Sequence, residues 1–528
     1  MSSATKKGVV AGAFSLAMAG LVAKILGVIY MVPFQNMAGD GTLGLYQYAY
    51  AIYVVMLQVA TAGFPLAMSK LISERLARHD FAGADQIYRV GARYLTLAGL
   101  IIFVIMFAMG GWLAIWMGNY AASTAIRALS FSLLIVPLLA AMRGYIQGNQ
   151  MMAISGNSQV VEQLVRSTAI LFGVWVAAVL LDGSQRVTAA VATFSAVLGA
   201  VASLVFLARH VVKIRREHKK RYIRDATEPT KSVMRTILKY SIPITLSSLV
   251  LPLSQAVDSF TITKLLMSGF QMTNDAATAE YGVFTGRALR LIALPLALAT
   301  GVGLSIMPAI AEAIAAKNTA LRNSRVMTAF RLTSFFAFPT SVGIFVLAGP
   351  IDIALFEDLK GADTIAMVSF MAIFSSYELV TTYILQAMGF MYLPVRNMFI
   401  GLGAKLVLNL LLVPEYGIFG AAIASVCGYI LSSLLNFFSV RRLGDTPLPV
   451  SDLLLKPMFA SLLMGVVVWM VTWIPVEVII PWPRIHSLVL VMIGGAVGAV
   501  VFGTLMILLK GISNEEMKRL PVLKRFAR

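Results

Sequence analysis

Apolar residues run along this chain in stretches of about 20–30 positions, each closed by a short polar or Gly/Pro-containing interruption. That length suits a bilayer crossing rather than a core helix of a soluble domain. The pattern predicts an all-α integral membrane protein of about fourteen transmembrane helices. They fall at roughly residues 8–34, 43–69, 90–116, 124–148, 152–181, 187–212, 236–265, 280–309, 325–349, 365–390, 395–413, 417–440, 452–474 and 485–510. The tightest division, Pro414-Glu415-Tyr416-Gly417, separates the eleventh from the twelfth. The first stretch opens like a secretion signal, with Lys6 and Lys7 ahead of an apolar run and Ala17-Met18-Ala19. Its apolar character continues past Lys24 to Phe34, longer than a cleaved segment, so it is expected to be retained as the first span.

Composition agrees: 59% of the 528 residues are hydrophobic and 13% charged, with a mean hydropathy of +0.83. The net charge of +19 reads as a topology signal, not as a nucleic-acid surface, because the basic residues collect in alternate connections. The one after the sixth span holds Arg209, Lys213, Arg215, Arg216, Lys219, Lys220, Arg221, Arg224, Lys231, Arg235 and Lys239. Other even-numbered connections carry Lys70, Arg75 and Arg78, then Lys317, Arg322 and Arg325, then Arg441 and Arg442. The odd-numbered ones contribute Arg186, Lys360 and Arg484 beside acids such as Asp182, Asp352, Glu357 and Asp358. By the positive-inside rule both termini are cytoplasmic, which requires an even number of spans. The basic connection at 209–239 either binds anionic lipid headgroups or merely marks topology.

A repeat organises the spans. Gly63, Leu66, Ile72 and Glu74 at the end of the second span match Gly301, Leu304, Ile310 and Glu312 at the end of the eighth, and the same register pairs Gly44 with Gly282 and Tyr46 with Phe284. A six-helix unit repeated in one orientation is the mark of a two-lobed transporter. The expected division is an N-terminal lobe at 1–212, a basic linker at 213–235, a C-terminal lobe at 236–440, an appended helix pair at 441–510 and a basic tail at 511–528.

Charges inside these spans are the candidate chemistry. Lys24, Arg166, Arg287, Arg290 and Lys405 stand against Glu162, Asp258 and Glu378. Each costs roughly 2.5–3.5 kcal/mol at mid-bilayer, so such groups face an interior or a partner. The surplus is positive, which suits a carrier of anionic, phosphate-bearing cargo. Gln159, Glu162, Gln163 and Arg166 share one helix face at i, i+3, i+4, i+7; Glu162 and Arg166 either pair with each other or serve the cavity. Arg287 and Arg290 lie one turn apart with no acid on that turn, and their guanidinium forks suit phosphate oxygens. The alternative is a partner such as Asp258 or Glu378. Lys24 and Lys405 either complete a cationic ring or snorkel. Asp258, near Ser254 and Gln255, either takes a coupling H⁺ or Na⁺ or balances Lys264. Glu378 lies on a stripe with Ser375, Thr382 and Gln386, and Asn409 adds a polar position to the eleventh span. Tyr46, Tyr50 and Tyr53 stripe the second span, either packing or stacking on sugar.

The four histidines, His79, His210, His218 and His486, have no metal-ligand spacing and fall in loops or near interfaces. The single cysteine, Cys427, excludes a disulfide scaffold. No Walker A loop and no acidic cluster for Mg²⁺ and diphosphate is found, so neither an ATP-driven pump nor an embedded transferase is expected. No cofactor is expected beyond coupling to membrane potential, H⁺ or Na⁺.

Arg143-Gly144-Tyr145-Ile146-Gln147-Gly148 followed by Ser158-Gln159-Val160-Val161-Glu162-Gln163 resembles a signature of polysaccharide-type flippases. Gly41 to Tyr46, Leu251 to Asp258 and Leu408 to Pro414 are also similar. The superfamily is that of multidrug/oligosaccharidyl-lipid/polysaccharide exporters, and the nearest branch resembles Gram-positive lipid II flippases and stage V sporulation protein B-like proteins. The resemblance implies two six-helix lobes around a V-shaped cavity, with the last two helices forming a lipid-facing groove. It implies alternating access in the bacterial plasma membrane, moving an undecaprenyl-diphosphate-linked glycan such as lipid II outward. It implies a monomer among membrane lipids, associated with cell-wall synthesis enzymes. Here the arginine pair lies in the eighth span and the first offers Lys24, a departure from the several first-lobe arginines of lipid II flippases that leaves the cargo open. The alternatives are another lipid-linked glycan (teichoic acid, capsule or exopolysaccharide unit), a cation-coupled multidrug exporter, or a membrane scaffold for a cell-wall or sporulation complex.

Overall fold

The computed structural model describes residues 18–20, 22–23, 25–27, 29–61, 63–222, 228–444, 449, 451–475 and 480–509, the side chains of 243, 244, 246, 247, 250 and 251 excepted. Among them every regular element is helical, and 11 helices are long and apolar enough to cross a membrane. This is the all-helical membrane fold expected from the apolar pattern. Fewer helices than predicted spans appear because two pairs of neighbouring spans are joined directly at sharp glycine-centred reversals, and Thr230–Phe270, which holds the seventh span, is not among the 11. Met31–Thr61 contains Gly39 at φ 74°, ψ 169°, and Tyr392–Gly444 contains Gly417 at φ 59°, ψ −143°. Both backbones lie in the positive-φ region that only glycine enters without a steric cost. The tight interruption at Pro414–Gly417 is therefore a sharp reversal between two helices: Asn397 and Asn436, on either side of it, hydrogen-bond at 2.9 Å.

Other spans are broken where proline removes an N–H and crowds the carbonyl four residues earlier. Pro137 follows a tight 3-10 turn, Phe131–Leu134, that splits the fourth span into Ala122–Ser130 and Val136–Gly148. Pro295 stands just after the break that divides the eighth. There Asn274–Gly282 leads into a π-helical turn, Val283–Ala288, a single α-turn, Leu289–Leu291, and then Ala293–Ala315.

The chain packs into two compact units, residues 1–286 with 413–417 and residues 287–412 with 418–528. In the first, Phe64, Met68, Leu95, Leu139, Tyr145 and Leu207 form a buried core. There the Asn274–Gly282 helix crosses Met31–Thr61 at Gly44 and Gly282. A Cβ on Gly44 would collide with the Thr278 carbonyl, and one on Gly282 would lie 2.9 Å from the Gly44 nitrogen. These two glycines are the pair that the sequence repeat matches. In the second unit Phe330, Phe338, Tyr377 and Ile384 anchor the core.

Candidate substrate site

The Met152–Val174 helix presents the predicted stripe, and its neighbours decide how the charges are used. Glu162 does not pair with Arg166. Its Oε2 accepts from Arg143 Nη2 at 2.6 Å, and Arg143 is fixed further by Ser158 Oγ at 3.0 Å and Ser203 Oγ at 3.1 Å. An i, i+4 spacing allows a pair, but the guanidinium from the Val136–Gly148 helix reaches the carboxylate first and brings two hydroxyl partners with it. Gln163 Nε2 donates to Ser167 Oγ at 3.3 Å. Gly20 and Gly27 of the first helix face Gln159 and Gln163.

Arg166 is thereby left without a carboxylate among the described residues. Its Nη2 donates to Tyr46 Oη at 2.8 Å, and its guanidinium carbon lies 5.4 Å from the Tyr50 ring centroid. Tyr46 stacks on Tyr50 with centroids 6.0 Å apart and meets Tyr30 Oη at 2.9 Å. The Arg166 Nε is buried and has no hydrogen-bond partner. A permanent cation held by π faces and a phenol keeps its fork available for an anion's oxygens. Tyr46 and Tyr50 belong to the stripe read from sequence, but their grip on Arg166 was not legible there.

In the second unit Arg287 is wholly buried and committed. Its Nη1 donates to Asp358 Oδ1 at 2.6 Å and Asp352 Oδ1 at 3.3 Å, its Nη2 to Asp358 Oδ2 at 3.1 Å, and it lies 4.9 Å from the Phe356 ring. These two partners are acids of the segment 348–361, which the sequence did not single out for it. Arg287 ties the π-helical turn to that segment, which corrects its reading as half of a phosphate fork. Arg484 pairs with Glu357 of the same segment and donates to the Ala354 carbonyl at 3.2 Å. Arg290, one turn on, is half-buried and itself engaged.

Glu378 is 4% exposed and accepts from Thr382 Oγ1 at 3.0 Å, with no cation paired to it among the described residues. Asn436 Nδ2 donates to Thr382 Oγ1 at 3.2 Å, and Asn397 Nδ2 to Asn436 Oδ1 at 2.9 Å, so Glu378 ends a buried polar chain. Asn397 and Asn436 were missed in the sequence because amides in apolar helices look unremarkable singly. Lys405 and Asn409 are buried and engaged in the same unit, as is Asp258 in the first. Lys24 lies outside the described residues. His218 is no loop histidine: its Nδ1 lies 2.8 Å from the buried Asp85 carboxylate, which also accepts from Tyr222 at 2.9 Å and Tyr145.

Residues 9–314 match the family described as polysaccharide biosynthesis protein. The lipid II flippase MurJ of Bacillus subtilis (strain 168) is 29% identical over 93% of each chain. Stage V sporulation protein B of the same organism is 26% identical over 97% of this chain and 98% of its own. A solved structure of a lipid II flippase MurJ, in an inward closed conformation, superposes with a TM-score of 0.68 at 17% identity, covering 94% of this chain and 99% of that one. An inward-facing MATE family transporter of the MOP superfamily superposes at 0.63 and 14% identity, covering 80% and 94%. The chain belongs to the polysaccharide biosynthesis protein family.

Proposed function

We propose that this chain is a flippase for an undecaprenyl-diphosphate-linked saccharide, and that the saccharide lipid is the peptidoglycan precursor lipid II. It acts by alternating access between two lobes, in a bacterial plasma membrane with both termini cytoplasmic. The observation that carries this reading is Arg166: a membrane-helix cation with no acid partner among the described residues, a buried free Nε and a wall of tyrosines. A diphosphate supplies the missing anion, and the partly exposed Tyr50 offers a ring face to a saccharide. The likeness to a lipid II flippase over nearly the full length of both chains supports the same cargo class. A multidrug exporter of cationic compounds would meet repulsion at Arg166. An enzymatic role has no support in a family of transporters. Glu378, enclosed beside Thr382, is the group we assign to ion coupling.

The test is complementation of a bacterial host depleted of its own lipid II flippase. Expression of this chain should restore growth and externally exposed lipid II. Verified membrane expression without that exposure would overturn the lipid II assignment, and restored surface glycan of another kind in a matching depletion host would redirect it.

A further inference from the structure

A groove of about 720 Å³ opens in the first unit between the Phe81–Met117 and Thr230–Phe270 helices. Its floor is apolar, from Leu97, Met234 and Leu238, and its rim is cationic, from Arg93, Lys231 and Arg235. All three cations are exposed, and none has a hydrogen-bond or ion-pair partner among the described residues. The nearest acid in sequence, Glu228, is taken by Arg75. Beyond the rim the Phe81–Met117 helix turns exposed apolar residues outward, with Leu100 at 46%, Ile101 at 51% and Val104 at 53%. Cations therefore sit at the edge of a membrane-facing apolar belt, with a slot leading from them into it.

We infer that this groove holds an anionic phospholipid of the adjoining leaflet. The phosphate lies on Arg93, Lys231 and Arg235, and an acyl chain runs along Leu97, Met234 and Leu238. The unpaired charge needs an anion, the floor needs an apolar chain, and a phospholipid at the membrane edge supplies both at the right separation. A soluble phosphate would leave the floor bare, and the basic C-terminal segment would be repelled. The inference is independent of the cargo proposed above: a resident lipid is bound here, and nothing is moved.

The full-length protein is purified in detergent, supplied with equal amounts of phosphatidylglycerol and phosphatidylcholine, and its bound lipids are counted by native mass spectrometry. The wild type should retain phosphatidylglycerol preferentially. Arg93→Gln/Lys231→Gln/Arg235→Gln should lose that preference, at about fivefold per cation and roughly a hundredfold together. Arg93→Lys/Arg235→Lys should keep most of it. Arg441→Gln/Arg442→Gln, far along the chain, should leave it intact. Equal retention of the two lipids, unchanged binding in the triple variant, or an equal loss in the Arg441/Arg442 control would each overturn the site. Displacement by undecaprenyl diphosphate at equimolar amounts would reassign it to the lipid carrier. The substituted side chains are exposed, and a thermal melt of each variant establishes that it is folded.

Discussion

Replacing Arg287 by alanine separates two accounts of the same residue. If it is the structural tie described here, its loss strands Asp352, which is fully enclosed, beside Asp358, which is a third exposed. Removing one partner from a buried ion pair costs about 3–5 kcal/mol, because the remaining charge is neither solvated nor compensated. Arg287 also ranks first by volume among the fully buried side chains, so a cavity adds to the loss. Arg287→Ala should therefore lower detergent-solubilised thermal stability and membrane yield together. Arg287→Leu combined with Asp352→Leu should recover much of both, since an apolar pair of similar volume replaces the buried charges. The assay is thermal unfolding of purified protein with transport measured alongside. An Arg287→Ala protein as stable as the wild type but unable to transport would refute this reasoning and return Arg287 to the substrate.

Further outcomes follow from the same contacts. Arg143→Ala frees the partly buried Glu162 carboxylate and should cost about 1.5–3 kcal/mol, the worth of a charge-assisted hydrogen bond, as read by denaturant or thermal unfolding. Gly44→Val drives a side chain into the Thr278 carbonyl and should destabilise by about 1–3 kcal/mol, whereas Gly403→Ala, whose Cβ meets nothing, should be near neutral. Burial raises the Asp358 carboxyl, but the bonds from Arg287 and the Lys360 N–H outweigh it and hold it below the usual carboxylate range. Its stabilisation is then complete above that range and fades as pH falls below about 4, so Asp358→Asn should flatten the acid side of a stability–pH curve. Glu378→Gln should leave folding intact and remove the pH dependence of transport, measured across an imposed pH gradient.

Much of the fold could be read from local pattern, because a bilayer imposes one length and one polarity on every span. The Pro414–Gly417 interruption marked the division between two spans through residue type alone, whereas the close crossing of Gly44 and Gly282 was not legible in their repeat match. The site was harder. Glu162 and Arg166 satisfy helix spacing, yet Arg143 from another helix takes the carboxylate, and only packing decides between them. Arg287 and Arg290 looked unopposed because the acids that meet Arg287 lie 65 and 71 residues further along. Both acids were visible as members of an acidic connection, but nothing in the sequence folds that connection back onto the eighth span. Arg166 stays a candidate because Tyr46 and Tyr50, from another helix and 116–120 positions away in the chain, are neutral and do not cancel its charge, a juxtaposition the sequence did not show.

The central claim is that Arg166 meets the diphosphate of a lipid-linked saccharide during transport. The most direct measurement is outward movement of fluorescent lipid II in proteoliposomes, comparing wild type, Arg166→Lys and Arg166→Ala at matched, folded protein. The account predicts transport by the wild type, partial transport by the lysine variant and loss in the alanine variant. Transport by Arg166→Ala at the wild-type rate would contradict it.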